Sequence, residues 1–203
     1  MGTTVIVLIV VIVLLVLALA AAGIMLSRRR RSEQLQEHYG PEYERTLAET
    51  GDRRAAEARL TEREQRHRKL DVRDLSPEER DRFSGSWNTI QRGFVDDPVQ
   101  SVRHADALVV EIMRTRGYPV DDFEQRAEDI SVEHPQVVQH YRDARGIHEA
   151  TQNGTADTEQ QRHAVTSYRA LITTLLGQGN DDAAASPTNG HRAATTTSEE
   201  QTR

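Results

Sequence analysis

Residues 5–26 read VIVLIVVIVLLVLALAAAGIML, and after Ser27 they are followed by Arg28-Arg29-Arg30-Arg31. The 22 residues of the stretch contain no charge and no proline. A helix rises about 1.5 Å per residue, so they would extend about 33 Å, close to the ~30 Å hydrocarbon thickness of a bilayer. The sequence therefore predicts a transmembrane helix over 5–26, with a short flank, 1–4, before it and a basic cluster after it.

Two alternatives compete with a retained membrane span. A cleaved signal peptide places basic residues before an apolar core of about 7–15 residues, but here the core is longer and the arginines follow it. N-myristoylation requires Ser or Thr at the sixth position, where this chain has Ile6. A retained, single-pass signal anchor fits the stretch best.

The charge asymmetry also predicts the orientation of the chain. Because arginines flanking a span stay in the cytoplasm, we expect the N-terminus outside the cell membrane and the C-terminal domain in the cytoplasm. The opposite topology, with an exported domain, is the alternative. The lipid bilayer is then one partner, and the pair Ala18 and Ala22 predicts weak homodimerisation through the span.

The composition limits the remaining function classes. The chain has a net charge of −6, and without Arg28–Arg31 it has 22 basic against 32 acidic residues. Such an acidic body argues against nucleic-acid binding, which requires a basic face to displace counterions. There is no cysteine and no phosphate-binding or dinucleotide-binding motif. We therefore expect no nucleic-acid partner and no cofactor.

Residues 27–75 are almost entirely polar after the basic cluster. Gly40-Pro41 should break a helix begun near Ser32, and the Glu-, Arg- and Ala-rich run from Glu42 to Leu70 favours helix. The apolar positions are too few for a coiled-coil heptad. The sequence predicts a solvated helical stalk, frayed near Gly51.

A change in pattern at Ser76 indicates a folded domain over 76–177. Ser76 and Glu79 have the spacing of a capping box around Pro77. Apolar residues then recur at helical spacing in four longer helices and one short helix, separated by Gly and Pro. The fold class predicted is all-α: a transmembrane helix, a polar stalk, an antiparallel bundle of four to five helices, and a disordered tail over 178–203.

The sequence offers little that resembles a catalytic site. His148-Glu149-Ala150-Thr151-Gln152 differs from the zinc motif HExxH at its last residue. A zinc site of that kind requires both histidines on one helix face, so we predict no metal site.

Three regions of the chain resemble a known group of proteins. They are YGPEY (39–43) with TGDRRAA (50–56); RGFVDDP (92–98); and RGYP (116–119) continuing to HPQVV (134–138). They resemble uncharacterised single-pass membrane proteins from actinobacteria and other bacteria over roughly residues 28–176. The resemblance implies an anchor followed by a helical domain, and it implies no activity, cofactor or catalytic residue.

Two functional hypotheses follow. The first is a non-enzymatic, membrane-anchored interaction or adaptor module, related to the envelope or to stress, with an unidentified protein partner. The turns around Gly117 and Pro135 predict a contact surface formed by Tyr118, Asp122, Arg126 and His134.

The second hypothesis is a membrane-bound ligand sensor or enzyme. Its acid and base groups would converge only in three dimensions, with His134, His140 or His148 beside carboxylates in the bundle. A pocket containing two of these histidines and a carboxylate would favour this alternative.

Overall fold

The computed structural model describes residues 2–177, apart from the side chains of fifteen residues between Thr3 and Arg28. The predicted disordered tail, 178–203, lies outside the described residues.

Every regular element of residues 2–177 is an α-helix, which confirms the all-α class. The helices are α1 (Gly2–Tyr39), α2 (Pro41–Thr50), α3 (Arg53–His67), α4 (Pro77–Gly93), α5 (Pro98–Arg116), α6 (Phe123–Glu133), α7 (Pro135–Gln152) and α8 (Thr158–Leu175).

Helix α1 continues through the apolar stretch and the basic cluster without a break. It ends at Tyr39, where Gly40 takes a positive φ of 47° and Pro41 begins α2, as the Gly-Pro pair predicts. In the part of the chain whose placement is described, no helix is long and apolar enough to cross a membrane. The transmembrane helix over 5–26 therefore stays a prediction.

Helices α2 and α3 do not form a free stalk. With the end of α1 they enclose a small core of Leu35, Tyr39, Tyr43 and Leu60, and they also pack against α6 and α7. The prediction of a solvated stalk is wrong here because this junction is closed mainly by buried pairs of charged side chains, which a hydropathy pattern does not reveal.

The main core lies among α4–α8, where the sequence predicts it. Large buried side chains include Phe83, Trp87, Ile112, Tyr141, Tyr168 and Leu171. Helices α7 and α8 form the most extensive helix pair, and α5 packs against α4, α7 and α8. The five predicted helices of the bundle are thus confirmed.

The helix caps follow the sequence signals with one exception. Ser76 and Glu79 form the predicted capping box of α4. At α8, Thr158 and Gln161 also have the spacing of a capping box, but the box that forms is that of Asp157 with Gln160. Asp is at least as good an N-cap as Thr, so α8 begins one residue earlier than the Thr158 spacing indicates.

Candidate functional site

Glu133, the last residue of α6, lies at the centre of a polar cluster. The Tyr118 hydroxyl donates a hydrogen bond of 2.7 Å to its Oε2. Two imidazoles lie on either side of the carboxylate, His67 with Nε2 3.7 Å from Oε1 and His134 with Nε2 3.8 Å from Oε2. An Arg116 nitrogen lies 3.6 Å from Oε2. We call these five residues the Glu133 cluster.

The sequence positions each member of the Glu133 cluster through a helix end. Gly117 ends α5 in the left-handed conformation, which turns Tyr118 away from the helix axis. Pro135 forces its predecessor out of the helical conformation, and His134 thereby serves as the junction between α6 and α7. His67 comes from the last turn of α3.

Burial shifts the protonation equilibria of three groups in and beside the cluster. It raises the pKa of the Tyr118 phenol well above its usual range. It lowers the pKa of His134, with Arg116 and His67 acting in the same direction and Glu133 against them. It also raises the pKa of Asp129, which is fully buried, despite the nearby Arg66. The site thus favours neutral imidazole at His134 and resists loss of the phenolic proton.

A ladder of ion pairs continues from the cluster along the junction of α2–α3 with α6–α7. Glu128 accepts from Arg66 at 2.7 Å and lies 3.1 Å from Arg63. Arg63 in turn donates to Glu42 at 2.9 Å, and these two side chains are each 2% exposed. Arg142 of α7 donates to the same Glu42 oxygen at 2.9 Å. The ladder therefore joins four helices through charged groups that are largely removed from water.

The ladder is also where the polar groups of this region are least completely satisfied. Among the described residues, Arg63 Nε, Arg142 Nε, Asp129 Oδ2 and His67 Nε2 are buried without a hydrogen bond. Buried polar atoms are usually paired, and each unpaired one offsets part of the stabilisation from the ion pairs. The junction is thus held by strong pairs at a considerable desolvation penalty.

The four residues of the predicted contact surface differ in their exposure to solvent. Tyr118 is 3% exposed, and Arg126 is 7% exposed with its guanidinium donating to the Tyr141 hydroxyl and the Val120 carbonyl. Tyr118 and Arg126 are therefore interior residues, and the prediction that they belong to an exposed contact surface is wrong. Asp122 is exposed and caps α6 through the Gln125 N–H. His134 is partly exposed beside Glu133.

The three histidines of the alternative hypothesis do not converge. His134 directly precedes α7 and His148 lies near the end of that helix, a separation of about 21 Å at 1.5 Å per residue. His148 is buried against Gln152 within its own helix, and His140 is exposed. Over the described residues, no group of three or more His, Asp or Glu side chains is arranged to hold a metal ion.

Sequence reasoning missed three members of the Glu133 cluster: His67, Arg116 and Glu133. Their neighbours Gly117 and Pro135 give a clear signal for the turns, but His67 belongs to a segment without an apolar stripe. Only the packing of α3 against α6 brings it to the carboxylate, and that packing is carried by ion pairs.

The basic cluster after the apolar stretch contacts α3. Arg31 donates to the Thr61 hydroxyl at 3.2 Å, and Ser32 bonds with Glu57 and Arg53. Arg29 and Arg30 are exposed, and the side chain of Arg28 lies outside the described residues. The arginines of α1 are therefore part of a surface to which α3 contributes.

Comparison of the chain with protein-family models, with curated proteins and with solved structures found no match. The resemblance to single-pass bacterial membrane proteins stays a prediction.

Proposed function

We propose that this protein is a membrane-anchored, non-enzymatic interaction module that presents its helical domain at the cytoplasmic surface of the cell membrane. The observation that carries the proposal is the continuity of α1. One 38-residue helix runs from the apolar stretch into the folded domain, where Leu35 and Tyr39 are buried against α2 and α3. The helix that would anchor the chain is thus part of the domain's own core.

The continuous helix fixes the distance and the orientation of the domain relative to the membrane. A solvated stalk would let the domain swing away from the bilayer, whereas a helix ending in a packed core holds the domain close and in one orientation. The residue that ends the apolar stretch, Leu26, is nine residues from Leu35, or about 14 Å along the helix. The proposed role is to present a fixed face to an unidentified protein partner near the membrane.

The start of α6 and the start of α7 are the contact region that we propose. Asp122 and His134 remain from the sequence prediction because both have exposed surface. Asp121 and Gln136, their exposed neighbours, extend it. The buried Tyr118 and Arg126 hold this region in shape rather than contact a partner.

The test is site-specific photocrosslinking of the full chain in its own cells. A photoreactive residue is placed at Asp121 or Gln136, and at the exposed His163 of α8 as the control. We expect one reproducible adduct in the membrane fraction from the first two positions and none from the third. The absence of an adduct from Asp121 and Gln136, at normal protein levels, would contradict the proposed contact region.

A second candidate function, a sensor, is favoured by a different observation. Glu133 lies between the imidazoles of His67 and His134, and histidine is the side chain that changes charge near neutral pH. A proton bound by His134, whose pKa burial lowers, would change the charge beside Glu133 at the end of α6, next to α3. A loss of stability between about pH 7 and pH 5 that His134→Gln reduces would favour this candidate.

A further inference from the structure

Two open grooves flank α1 where it passes α3, and both are rich in arginine. One is lined by Arg29, Arg31, Arg53 and Arg54, with Glu57 and Glu62. The other is lined by Arg30, Arg31 and Arg68, with Glu64. We call Arg29, Arg30, Arg31, Arg53, Arg54 and Arg68 the arginine surface. Six guanidinium groups thus stand against three carboxylates, on a chain whose net charge is −6.

The fold, and not the order of the sequence, assembles this surface. Arg53 donates to Ser32, 21 residues earlier in the chain, and Arg31 donates to Thr61. Arg53 and Thr61, about 12 Å apart along α3, thus contact adjacent residues of α1 through the long side chains of Arg53 and Arg31. These contacts hold the start of α3, with Arg53 and Arg54, at the level of the basic cluster.

The level of the surface matches the headgroup layer of a bilayer. The apolar stretch ends at Leu26, so Arg29–Arg31 lie about 4–8 Å beyond it and Ser32 about 9 Å beyond it along α1. The headgroup layer on each side of the hydrocarbon is about 5–7 Å thick. Arginine side chains extend several ångströms toward phosphates from such positions, which places the surface within reach of lipid headgroups.

The side chains of the surface are open to solvent. Arg29, Arg30 and Arg54 are exposed. Arg53 is 60% exposed although it also bonds with Ser32 and Glu57. Arg68 is 75% exposed beside Glu64. Leu19, Met25 and Leu26, which precede the basic cluster on α1, are more than half exposed. An exposed apolar segment followed by exposed guanidinium groups complements a leaflet with anionic headgroups.

We propose that the arginine surface binds the phosphate headgroups of anionic phospholipids in the leaflet that α1 enters. This inference rests on the anchoring proposed above. The lipid site goes beyond anchoring. Arginines at the end of a span need only stop translocation, but Arg53, Arg54 and Arg68 belong to α3 and its C-cap and not to the span. Guanidinium groups bind phosphate with paired, charge-assisted hydrogen bonds, and the bound lipids hold the face of α3 against the membrane.

The test is the lipid selectivity of the full chain, reconstituted in phosphatidylcholine bilayers containing phosphatidylglycerol. Electron paramagnetic resonance measures how much spin-labelled phosphatidylglycerol, and how much spin-labelled phosphatidylcholine, the protein immobilises. The informative variant is R53Q/R54Q, which removes two charges from α3 and leaves the sequence of α1 unchanged, although it also removes the hydrogen bond from Arg53 to Ser32. The matched control is R103Q/R114Q, which removes two exposed charges from α5.

One arginine near an anionic leaflet raises the binding constant by up to about fivefold, and added salt reduces this increase. We expect the parent chain to prefer phosphatidylglycerol, R53Q/R54Q to reduce that preference about twofold to fivefold, and the control to match the parent. Equal selectivity in R53Q/R54Q and the parent, with helix content unchanged by circular dichroism, would overturn the inference. Displacement of the labelled lipid by millimolar glycerol phosphate would also overturn it, because it would indicate a site for a soluble phosphate.

The result also separates this inference from the proposal on which it rests. A chain that alkaline carbonate extracts from membranes overturns both. A chain that resists extraction but immobilises the two lipids equally overturns the lipid site alone.

Discussion

At the scale of single residues, Glu42 explains why a polar segment of this chain packs as a domain. It is the first glutamate of α2, and its Oε1 accepts from Arg63 of α3 and from Arg142 of α7. Removing one partner of a buried ion pair is strongly destabilising because it leaves an uncompensated charge away from water. The packing of α2 and α3 on the bundle therefore depends on this carboxylate.

Glu42→Gln keeps the shape of the side chain and removes its charge. Because it leaves two buried guanidinium groups without a full countercharge, we expect it to lower the free energy of unfolding by about 3–5 kcal/mol. The measurement is urea unfolding of the full chain in mild detergent, followed by the fluorescence of Trp87, the sole tryptophan.

Glu44→Gln is the control, because Glu44 lies on the same helix and is exposed. It should change the stability by no more than about 0.5 kcal/mol. Equal stabilities of the two variants would show that the buried pairs do not hold α2 and α3 in place.

The Glu133 cluster predicts a dependence of stability on pH. The pKa of His134 is lowered from 6.5, so the folded state favours neutral imidazole. Its contribution to stability is complete above the unfolded pKa and is lost as the pH falls through the folded value. Asp129 acts in the opposite direction, because its pKa is raised from 3.8. Its contribution to stability is complete below pH 3.8 and is lost as the pH rises through the pKa of the folded state.

We therefore expect the parent chain to lose stability between about pH 7 and pH 5. His134→Gln should lose less over this range, and His140→Gln should behave as the parent does because His140 is exposed. His148, whose pKa burial also lowers, accounts for part of the remaining dependence. Urea unfolding at the two pH values measures the difference, and identical slopes for the parent and His134→Gln would remove the sensor candidate.

At the scale of elements, the connection between α3 and α4 is fastened to the end of α5. The Arg73 N–H donates to the Arg116 carbonyl at 2.9 Å, and the Arg116 Nε donates to the Arg73 carbonyl at 3.2 Å. Gly117 makes this approach possible, since a Cβ there would lie 2.4 Å from the Asp71 carbonyl oxygen. The same glycine has a φ of 97°, which other residues adopt at a penalty.

Gly117→Ala should accordingly destabilise the protein by about 2–4 kcal/mol, from the strained backbone and the displaced connection. Gly85→Ala is the matched control, because Gly85 is inside α4 and nothing lies within 4 Å of its added Cβ. It should be neutral or stabilising by up to about 1 kcal/mol. Thermal unfolding followed by circular dichroism compares the two variants. Equal stability of Gly117→Ala and the parent chain would mean that the α3–α4 connection is not fixed at Gly117.

The elements show which features the sequence can predict. Helix ends have local causes, so Gly40-Pro41, Ser76–Glu79 and His134-Pro135 all lie where the structure begins or ends a helix. The bundle core follows from apolar periodicity. The position of α2 and α3 does not, because Arg63 and Glu42 appear in the sequence as ordinary surface charges and only their pairing in space makes them interior residues.

The candidate site shows the same division between local and tertiary causes. Tyr118 and Arg126 are near recognisable turns, which marks them as special without showing whether they face inward. Arg126 is buried where α6 packs on α7 and meets Tyr141, whereas Tyr118 is buried beside His67 and Glu133. Sequence spacing places residues on a helix, and tertiary packing decides which way each one faces.

At the scale of the whole molecule, α1 connects the apolar stretch to the folded domain. Its first part is apolar, its middle carries the basic cluster, and its last turns belong to the core formed with α2 and α3. If residues 5–26 lie in a bilayer, the arginine surface and the ladder of ion pairs follow within one continuous body. We propose that this helix anchors the domain to the membrane.

Alkaline carbonate extraction of membranes from cells that express the full chain tests that claim most directly. We predict that the full chain stays in the membrane pellet and that a variant without residues 5–26 is released into the supernatant. Recovery of the full chain in the supernatant would contradict the claim.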